Sequence, residues 1–162
     1  MNKDDFELAM KALENASGKW YRERKSFAVD FSDIRRWAIG VNWPESPPKI
    51  FVDEEHANKS KWGKIIAPRE FNPFAWPVQS DDLNGGLDIG LIPNLRSMAG
   101  GTRDIYGEQI YVGDIISERS RVSEYKLTKT RLGKTLFVIN ESQWNNQENQ
   151  FVRSRFSTGV RY

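Results

Sequence analysis

The strongest constraint on the fold is a series of four strand-like runs that fills the chain after Gly101. These runs mix apolar and polar residues in near alternation, and they span 102–112, 115–130, 134–146 and 150–162. Short breaks containing glycine, aspartate or asparagine separate them, at 113–114, 131–133 and 145–149. Consecutive strands joined by such short turns pair antiparallel. This part of the chain therefore predicts an antiparallel meander.

Helices are predicted before the meander. The first is capped by Asp4 or Asp5 and stops at Gly18, and its buried face consists of Phe6, Met10 and Leu13. This spacing of three and four residues places the apolar side chains on one side of a helix.

The residues from 27 to 58 predict a strand and two more helical segments. The run "FAVDF" (27–31) alternates like a short strand. The run "SDIRRWAIG" predicts a helix that is capped by Ser32, ends at Gly40 and buries Ile34, Trp37 and Ala38. Asp53 suits the N-cap of a further helical turn. Residues 83–101 are too rich in turn residues for a long helix.

Helices followed by an antiparallel meander predict a single α+β domain over 1–162. A chain of 162 residues is long enough to bury a core of its own. Aromatic residues make up 12% of it, including six Trp, so they must supply much of the buried area. The chain has no cysteine, which excludes disulfides and thiolate metal sites, and we expect neither a metal nor a cofactor.

Charge and hydropathy narrow the choice of partner and compartment. The net charge is only +2 and charges of both signs are interspersed, so we expect no nucleic acid partner. No run has the apolar length of a membrane-spanning helix or the pattern of a signal peptide. We therefore expect a cytoplasmic protein with no membrane partner.

Four stretches together resemble one known family. The first stretch, residues 31–57, ends in "FVDEEHA", and the second, residues 62–71, reads "WGKIIAPREF". The third, residues 98–122, contains "AGG" and "VGD". The fourth, residues 136–155, has the pattern of a hairpin. This order resembles the MaoC-like dehydratases of the hot-dog fold, specifically their FAS1-like N-terminal dehydratase domain. Arg69 stands where that family has a second proline, and Gln109 and Ile110 depart from its aromatic-proline detail. Asn149 stands where it usually has glycine, and asparagine tolerates a positive φ well.

The resemblance implies a curved antiparallel sheet wrapped around a central helix. The aromatic stretch from Trp62 to Trp76 would lead into that central segment, where its side chains pack the core and line a tunnel for an acyl chain on pantetheine. On this basis the implied substrate-binding residues are Phe51, Trp62, Ala67, Pro68, Phe71, Phe74, Gly100 and Gly101.

The acid and base that the resemblance leads us to expect are missing. Family members that hydrate enoyl thioesters use the Asp and His of a "D-x-N-P-x-H" loop. When "DEEHA" is aligned with the family's "D-P-E-Y-A", Phe51 falls at the His and Ser46 lies nearest the Asp. The remaining catalytic candidates are His56 and Asp53. A lone histidine in a charged segment better suits the surface, and Asp53 better suits a helix cap.

We therefore expect a subunit of an enoyl-thioester hydratase or 3-hydroxyacyl dehydratase that acts on acyl-CoA or acyl carrier protein substrates. It would shape the acyl pocket while a second hot-dog subunit, identical or different, supplies the Asp/His pair. One alternative is an acyl-CoA thioesterase that activates water with a lone carboxylate at Asp33, Glu45 or Asp53. Others are a non-catalytic acyl-thioester binding module and a homodimer in which His56 acts across the interface.

Overall fold

The computed structural model describes residues 3–75 and 96–162. In these residues five antiparallel strands form one sheet in the order β1-β3-β4-β5-β2. The strands are β1 (Tyr21–Lys25), β2 (Ser97–Tyr106), β3 (Ser117–Thr130), β4 (Gly133–Asn145) and β5 (Phe151–Arg161). The helices are α1 (Lys3–Ala16), α2 (Phe31–Asn42) and α3 (Glu54–Asn58), with a 3-10 turn at Lys49–Phe51.

Strands β3, β4 and β5 confirm the predicted antiparallel meander. The predicted pairing of the first run with the second is wrong, because β2 crosses over to pair with β5 and not with β3. The turns at 113–114, 131–132 and 146–149 fall at the predicted breaks. Asn149 has a φ of 59°, so asparagine does occupy a left-handed position there. The second strand in the chain, β2, begins earlier than predicted. Its first residues, "SMAGG", have low strand propensity, and they are held by pairing with the end of β5.

Helix α1 confirms the predicted face. Phe6 and Leu13 are fully buried, and they pack with three sheet residues, Val122, Leu136 and Val138. The predicted cap is wrong, because α1 already includes Asp4 and Asp5. Gly18, with a φ of 74°, turns the chain away after the helix ends.

The predicted strand at 27–31 is wrong. The strand that pairs with the outer edge of β3 is β1, which lies before this run in the sequence. The run instead forms an extended connection in which the Val29 N–H donates to the Asp114 carbonyl at 2.9 Å. The cap of α2 is Asp30 rather than Ser32, because the Asp30 carboxylate accepts from the Ser32 N–H at 2.7 Å. Helix α2 continues past Gly40 to Asn42, whose side chain donates to the Ala38 carbonyl.

The apolar core has two parts. One joins α1 to the middle of β3 and β4. The other joins α2 and residues 65–74 to the far end of the sheet, where Trp144 and Val152 lie. Between Trp62 and Ala75 the chain forms turns and one short bridge. Trp76, and the part of 83–101 before Arg96, lie outside the described residues. No helix within 3–75 or 96–162 is long and apolar enough to cross a bilayer.

Leu13→Ala should lower the free energy of unfolding by about 2–5 kcal/mol, because it leaves a cavity between α1 and the sheet. Leu8→Ala on the same helix is the matched control, since Leu8 is 58% exposed. That variant should lie within about 0.5 kcal/mol of the wild type. Urea denaturation measures the free energy of unfolding of both variants, and we expect their m-values to equal that of the wild type. Equal effects of the two substitutions would contradict the packing of α1 described above.

Candidate functional site

The segment from Ile65 to Ala67 is fixed by hydrogen bonds to the loop after β2. The Ala67 N–H donates to the Ile110 carbonyl at 2.9 Å. The Gln109 side chain donates to the Ala67 carbonyl at 2.6 Å, and Ile66 bridges Tyr111. Gln109, one of the departures from the family pattern, therefore holds this segment in place.

The aromatic residues that follow are anchored in the core. Phe71 meets the edge of Trp37 with 5.7 Å between ring centroids. Phe74 packs edge-on against Trp144 at 5.5 Å, and the Arg24 guanidinium lies 4.4 Å from the Phe74 centroid. Such perpendicular contacts add stability beyond the buried area.

An open apolar groove lies between α2 and residues 71–75. We call it the α2 groove, and its lining residues are Asp33, Arg36, Trp37, Gly40, Val41, Phe71, Asn72 and Ala75. It encloses about 840 Å³, including its open mouth. The Trp37 indole nitrogen is buried and makes no hydrogen bond with the part of the chain that is described. The groove therefore offers largely apolar walls.

The residues predicted to bind substrate fall in different places. Ala67, Phe71 and Phe74 are buried in one cluster, and the partly buried Phe51 packs against it. Only Phe71 of these lines the α2 groove. Trp62 is half-buried, with the Lys61 ammonium 4.6 Å from its ring centroid.

The other three predicted binding residues lie elsewhere. Pro68 borders a narrow cleft with Tyr106 and Arg153 that has room for about one water molecule. Gly100 and Gly101 belong to the edge strand β2 and line a groove with Phe156 and Thr158. A Cβ at Gly100 would come within 2.9 Å of the Thr158 side chain, so close packing requires a glycine there. A role for these residues in substrate binding stays a prediction.

The two catalytic candidates lie together on α3. His56 is exposed, and its backbone N–H donates to the Asp53 carboxylate at 3.0 Å. This backbone hydrogen bond is the main reason that the pKa of Asp53 is lowered from its ordinary value. The observed geometry is that of an N-cap, as predicted. A carboxylate with a lowered pKa is also a weaker base.

Sequence reasoning missed a set of buried charges beside Trp144. The Glu118 carboxylate accepts from Arg24 Nε and from the Trp144 indole N–H, each at 2.7 Å. The Arg153 guanidinium stacks on the same indole, 3.5 Å from the ring centroid. The register pairs Trp144 with both Glu118 and Arg153, which puts all three side chains on one face of the sheet. A signal was present, because Glu118 shares its strand parity with the buried Val122.

A second ion pair lies next to this set. Arg155 Nε and Nη2 donate to the two oxygens of Asp104 at 2.8 and 2.7 Å. This pairing is the main cause of the lowered pKa of Asp104 and of the raised pKa of Arg155. The Tyr106 hydroxyl also donates to Asp104, at 3.2 Å. Edge strand β2 is thus tied to β5 by side chains as well as by its backbone.

The sequence of residues 15–155 matches the family described as "FAS1-like, dehydratase domain region". The chain belongs to this family. No curated protein matches the sequence. Membership agrees with the resemblance noted from the four stretches, and it spans most of the chain.

Solved structures with a similar fold include a MaoC-like dehydratase and two heteromeric complexes. A MaoC-like dehydratase from Rhodospirillum rubrum is 19% identical, with 91% of this chain and 94% of that one covered and a TM-score of 0.62. The ChsH1-ChsH2 complex from Mycobacterium tuberculosis is 16% identical. The match covers 98% of this chain and 96% of that one, with a TM-score of 0.70. The C-terminally truncated HadBC (3R-hydroxyacyl-ACP dehydratase) complex from the same organism is 18% identical. The match covers 90% of this chain and 96% of that one, with a TM-score of 0.63. At these identities the likeness establishes the hot-dog fold.

Asp104→Asn should destabilise the chain at neutral pH by on the order of 1 kcal/mol, a modest effect because Arg155 is partly exposed. A lowered folded-state pKa means that the stabilisation is present above the unfolded pKa and is lost as the pH falls through the folded one. The difference from the wild type should therefore shrink below about pH 4.

Chemical denaturation at a series of pH values measures this difference. Glu55→Gln is the control, because Glu55 pairs with Lys59 on an exposed face of α3. It should have almost no effect at any pH. A difference for Asp104→Asn that stays constant down to pH 2 would show that the Asp104–Arg155 pair does not stabilise the fold.

Proposed function

We propose that this chain is the non-catalytic subunit of a hot-dog enoyl-thioester hydratase, or 3-hydroxyacyl-thioester dehydratase. The observation that carries the proposal is the position of the chain's only histidine. His56 is exposed on α3, and its backbone N–H donates to the carboxylate of Asp53, which caps that helix. Within residues 3–75 and 96–162 the His56 side chain forms no salt bridge. Alignment with the family's motif places Phe51 at the position of the catalytic histidine. Its side chain packs against the core, and a phenyl ring cannot transfer a proton.

The chemistry explains why a partner is needed. When water adds to an enoyl thioester, its proton must leave as the oxygen bonds to the β-carbon, and the α-carbon must gain a proton. Charge develops on the thioester oxygen meanwhile. Each positioned acid or base contributes about 10²–10⁴-fold in rate. A chain without the Asp/His pair needs a second subunit to supply both roles.

The α2 groove is the part that this chain would contribute. Its volume lies within the usual range for small-molecule sites, and its walls are largely apolar, which suits an acyl chain. Phe71, held against Trp37 by the edge contact, would form the floor of this pocket.

The surface proposed for pairing is the edge of β2 that faces away from β5. Every residue of this strand except Asp104 is exposed, and within residues 3–75 and 96–162 β2 pairs with no strand other than β5. Met98 and Ile105 are 45% and 44% exposed. A long edge with exposed apolar side chains is a site for adding a further strand. The ChsH1-ChsH2 and HadBC complexes support a hot-dog subunit as the partner, and HadBC supports a 3-hydroxyacyl thioester as the substrate.

A thioesterase is the second candidate, and the position of Asp33 favours it. Asp33 lines the α2 groove, where its carboxylate could activate a water molecule. Release of free thiol from acyl-CoA by the chain alone, abolished in Asp33→Asn, would support this reaction and contradict the hydratase proposal. A 3-hydroxyacyl product would instead support the hydratase proposal and contradict the thioesterase.

The expected cytoplasmic location stays a prediction.

Ile105→Lys should abolish both partner binding and hydration, because it places a charge on the β2 edge. The test is co-expression with a candidate hot-dog subunit that carries an intact "D-x-N-P-x-H" loop, followed by co-purification and an assay on crotonyl-CoA. The chain alone should show at most about a hundredth of the activity of the complex. Leu132→Lys is the matched control, since Leu132 is 45% exposed in the β3–β4 turn. Hydration by the chain alone at the rate of the complex would refute the proposal.

Gly40→Leu should block long acyl chains while leaving the fold intact. Gly40 is helical, and a Cβ there meets no atom within 4 Å, so a leucine side chain would extend into the α2 groove. In the reconstituted complex we expect the KM for a ten-carbon enoyl-CoA to rise at least about tenfold, with crotonyl-CoA little affected. Gly40→Ala is the control, because it gives a similar gain in helix propensity with one methyl group. Equal KM values for the two variants would place the acyl chain elsewhere.

A further inference from the structure

The hairpin formed by β3 and β4 carries a concentration of positive charge. Its residues 125–140 include no aspartate or glutamate. Four cations lie in this segment, and all of them are exposed: Lys126, Lys129, Arg131 and Lys134. The net charge of the whole chain is only +2, so the other residues together are not basic. The positive charge of the molecule is therefore gathered on this hairpin.

The basic end of the hairpin projects past the neighbouring strands. Strand β5 pairs with β4 as far as Leu136, which lies opposite Arg161. Within residues 3–75 and 96–162, the β3–β4 pairs beyond Leu136 have no third strand beside them. At the other end of β4, Trp144 packs in the cluster that contains Phe71. Strand β4 has 13 residues, so the turn lies roughly 40 Å along the strand from that cluster, and thus far from the α2 groove.

Cations lie on both faces of the hairpin. Lys129 and Lys134 are directly opposite each other, on the face where α1 packs, and the Lys134 ammonium lies 5.1 Å from the Phe6 ring centroid. Lys126 is three residues before Lys129 on the same strand, so it lies on the other face. Like charges directly opposite on neighbouring strands repel each other. A partner with negative charge on every side of the turn would relieve this repulsion.

The turn also carries an apolar side chain. Leu132 is 45% exposed, and it directly follows Arg131. Binding to a lipid surface combines the burial of apolar side chains with the attraction of lysine and arginine to anionic headgroups. A leucine among cations, at the tip of a projecting turn, supplies both contributions.

We propose that the β3–β4 hairpin binds the surface of an anionic lipid membrane, with Leu132 in the headgroup layer and Lys126, Lys129 and Arg131 against the headgroups. Nucleic acid fits less well, because residues 126–136 have no aromatic ring on which a base could stack. An acidic protein surface would meet only one face of the hairpin, whereas headgroups surround the turn. The expectation of no membrane partner was based on the lack of a spanning segment, which a surface contact does not need. The hydratase proposal is independent of this one, since the α2 groove lies at the other end of the sheet.

The experiment is co-sedimentation of the whole chain with sucrose-loaded vesicles. One set of vesicles is phosphatidylcholine alone, and the other contains about 30% phosphatidylserine. Each lysine or arginine near an anionic surface strengthens binding by roughly fivefold. In about 0.1 M NaCl we therefore expect the wild type to bind the phosphatidylserine vesicles at least about tenfold more strongly than the neutral ones. In about 0.5 M NaCl most of this preference should be lost, because salt screens the attraction.

Two pairs of matched variants assign the binding to the hairpin. The preference for phosphatidylserine should disappear in a triple variant that combines Lys126→Gln, Lys129→Gln and Arg131→Gln. Its control removes three charges from exposed lysines elsewhere and should bind within about twofold of the wild type: Lys59→Gln, Lys61→Gln and Lys64→Gln. Leu132→Asn keeps every cation and should weaken binding at least about threefold. Leu8→Asn is its control, because Leu8 is 58% exposed on α1, and it should bind like the wild type.

Three results would overturn the proposal. One is equal binding of the wild type to the two kinds of vesicle in about 0.1 M NaCl. Another is an equal loss of binding in the triple hairpin variant and in its lysine control, which would mean that overall charge alone is responsible. The third is tighter binding of the hairpin to poly-glutamate or to a single-stranded oligonucleotide than to the anionic vesicles, which would make the partner a protein or a nucleic acid. If the triple variant melts below the wild type, Leu132→Asn and its control decide the question.

Discussion

The buried carboxylate of Glu118 is the group on which the rest of this structure depends. It lies on β3, and it binds Arg24 on β1 and the Trp144 indole on β4. Arg153 on β5 then stacks on that indole, so one acidic side chain orders groups from four strands. Arg24 also covers Phe74, which packs against Trp144. The position of residues 71–75, and with it one wall of the α2 groove, follows from this set of contacts.

Backbone hydrogen bonds fix the segment that leads into the α2 groove. The Ala67 N–H donates to the Ile110 carbonyl at 2.9 Å, and the Phe71 N–H donates to the Pro68 carbonyl at 2.9 Å. Phe71, Asn72 and Ala75 then line the groove. The apolar wall that Phe71 provides is therefore held both by the backbone before it and by the edge contact with Trp37.

The sequence predicted the β3-β4-β5 meander because its turns carry their own chemistry: glycine at 133, and asparagine at a left-handed position at 149. The break at 113–114 also has a glycine, but it does not join paired strands, because β2 pairs with β5. It did not predict the start of β2, since "SMAGG" becomes a strand only by pairing with distant residues of β5. The alternation at 27–31 suggested a strand, but β1 already occupies the edge of β3. Phe51, Ala67, Phe71 and Phe74 do meet in one cluster. Arg153 was overlooked because a charged residue in a strand usually faces water.

The proposed division of labour also follows from the physical chemistry of position 51. A phenyl ring there joins the apolar contacts around Ile34 and Phe71 and needs no hydrogen bond. An imidazole would need a partner for its ring nitrogens, and Ser46, at the position nearest the family's aspartate, is exposed and carries no charge. A single exchange of Phe51 for histidine would therefore bury a polar ring without a carboxylate to orient it. A phenylalanine at position 51 thus suits the core, and under the proposal above hydration would depend on a partner.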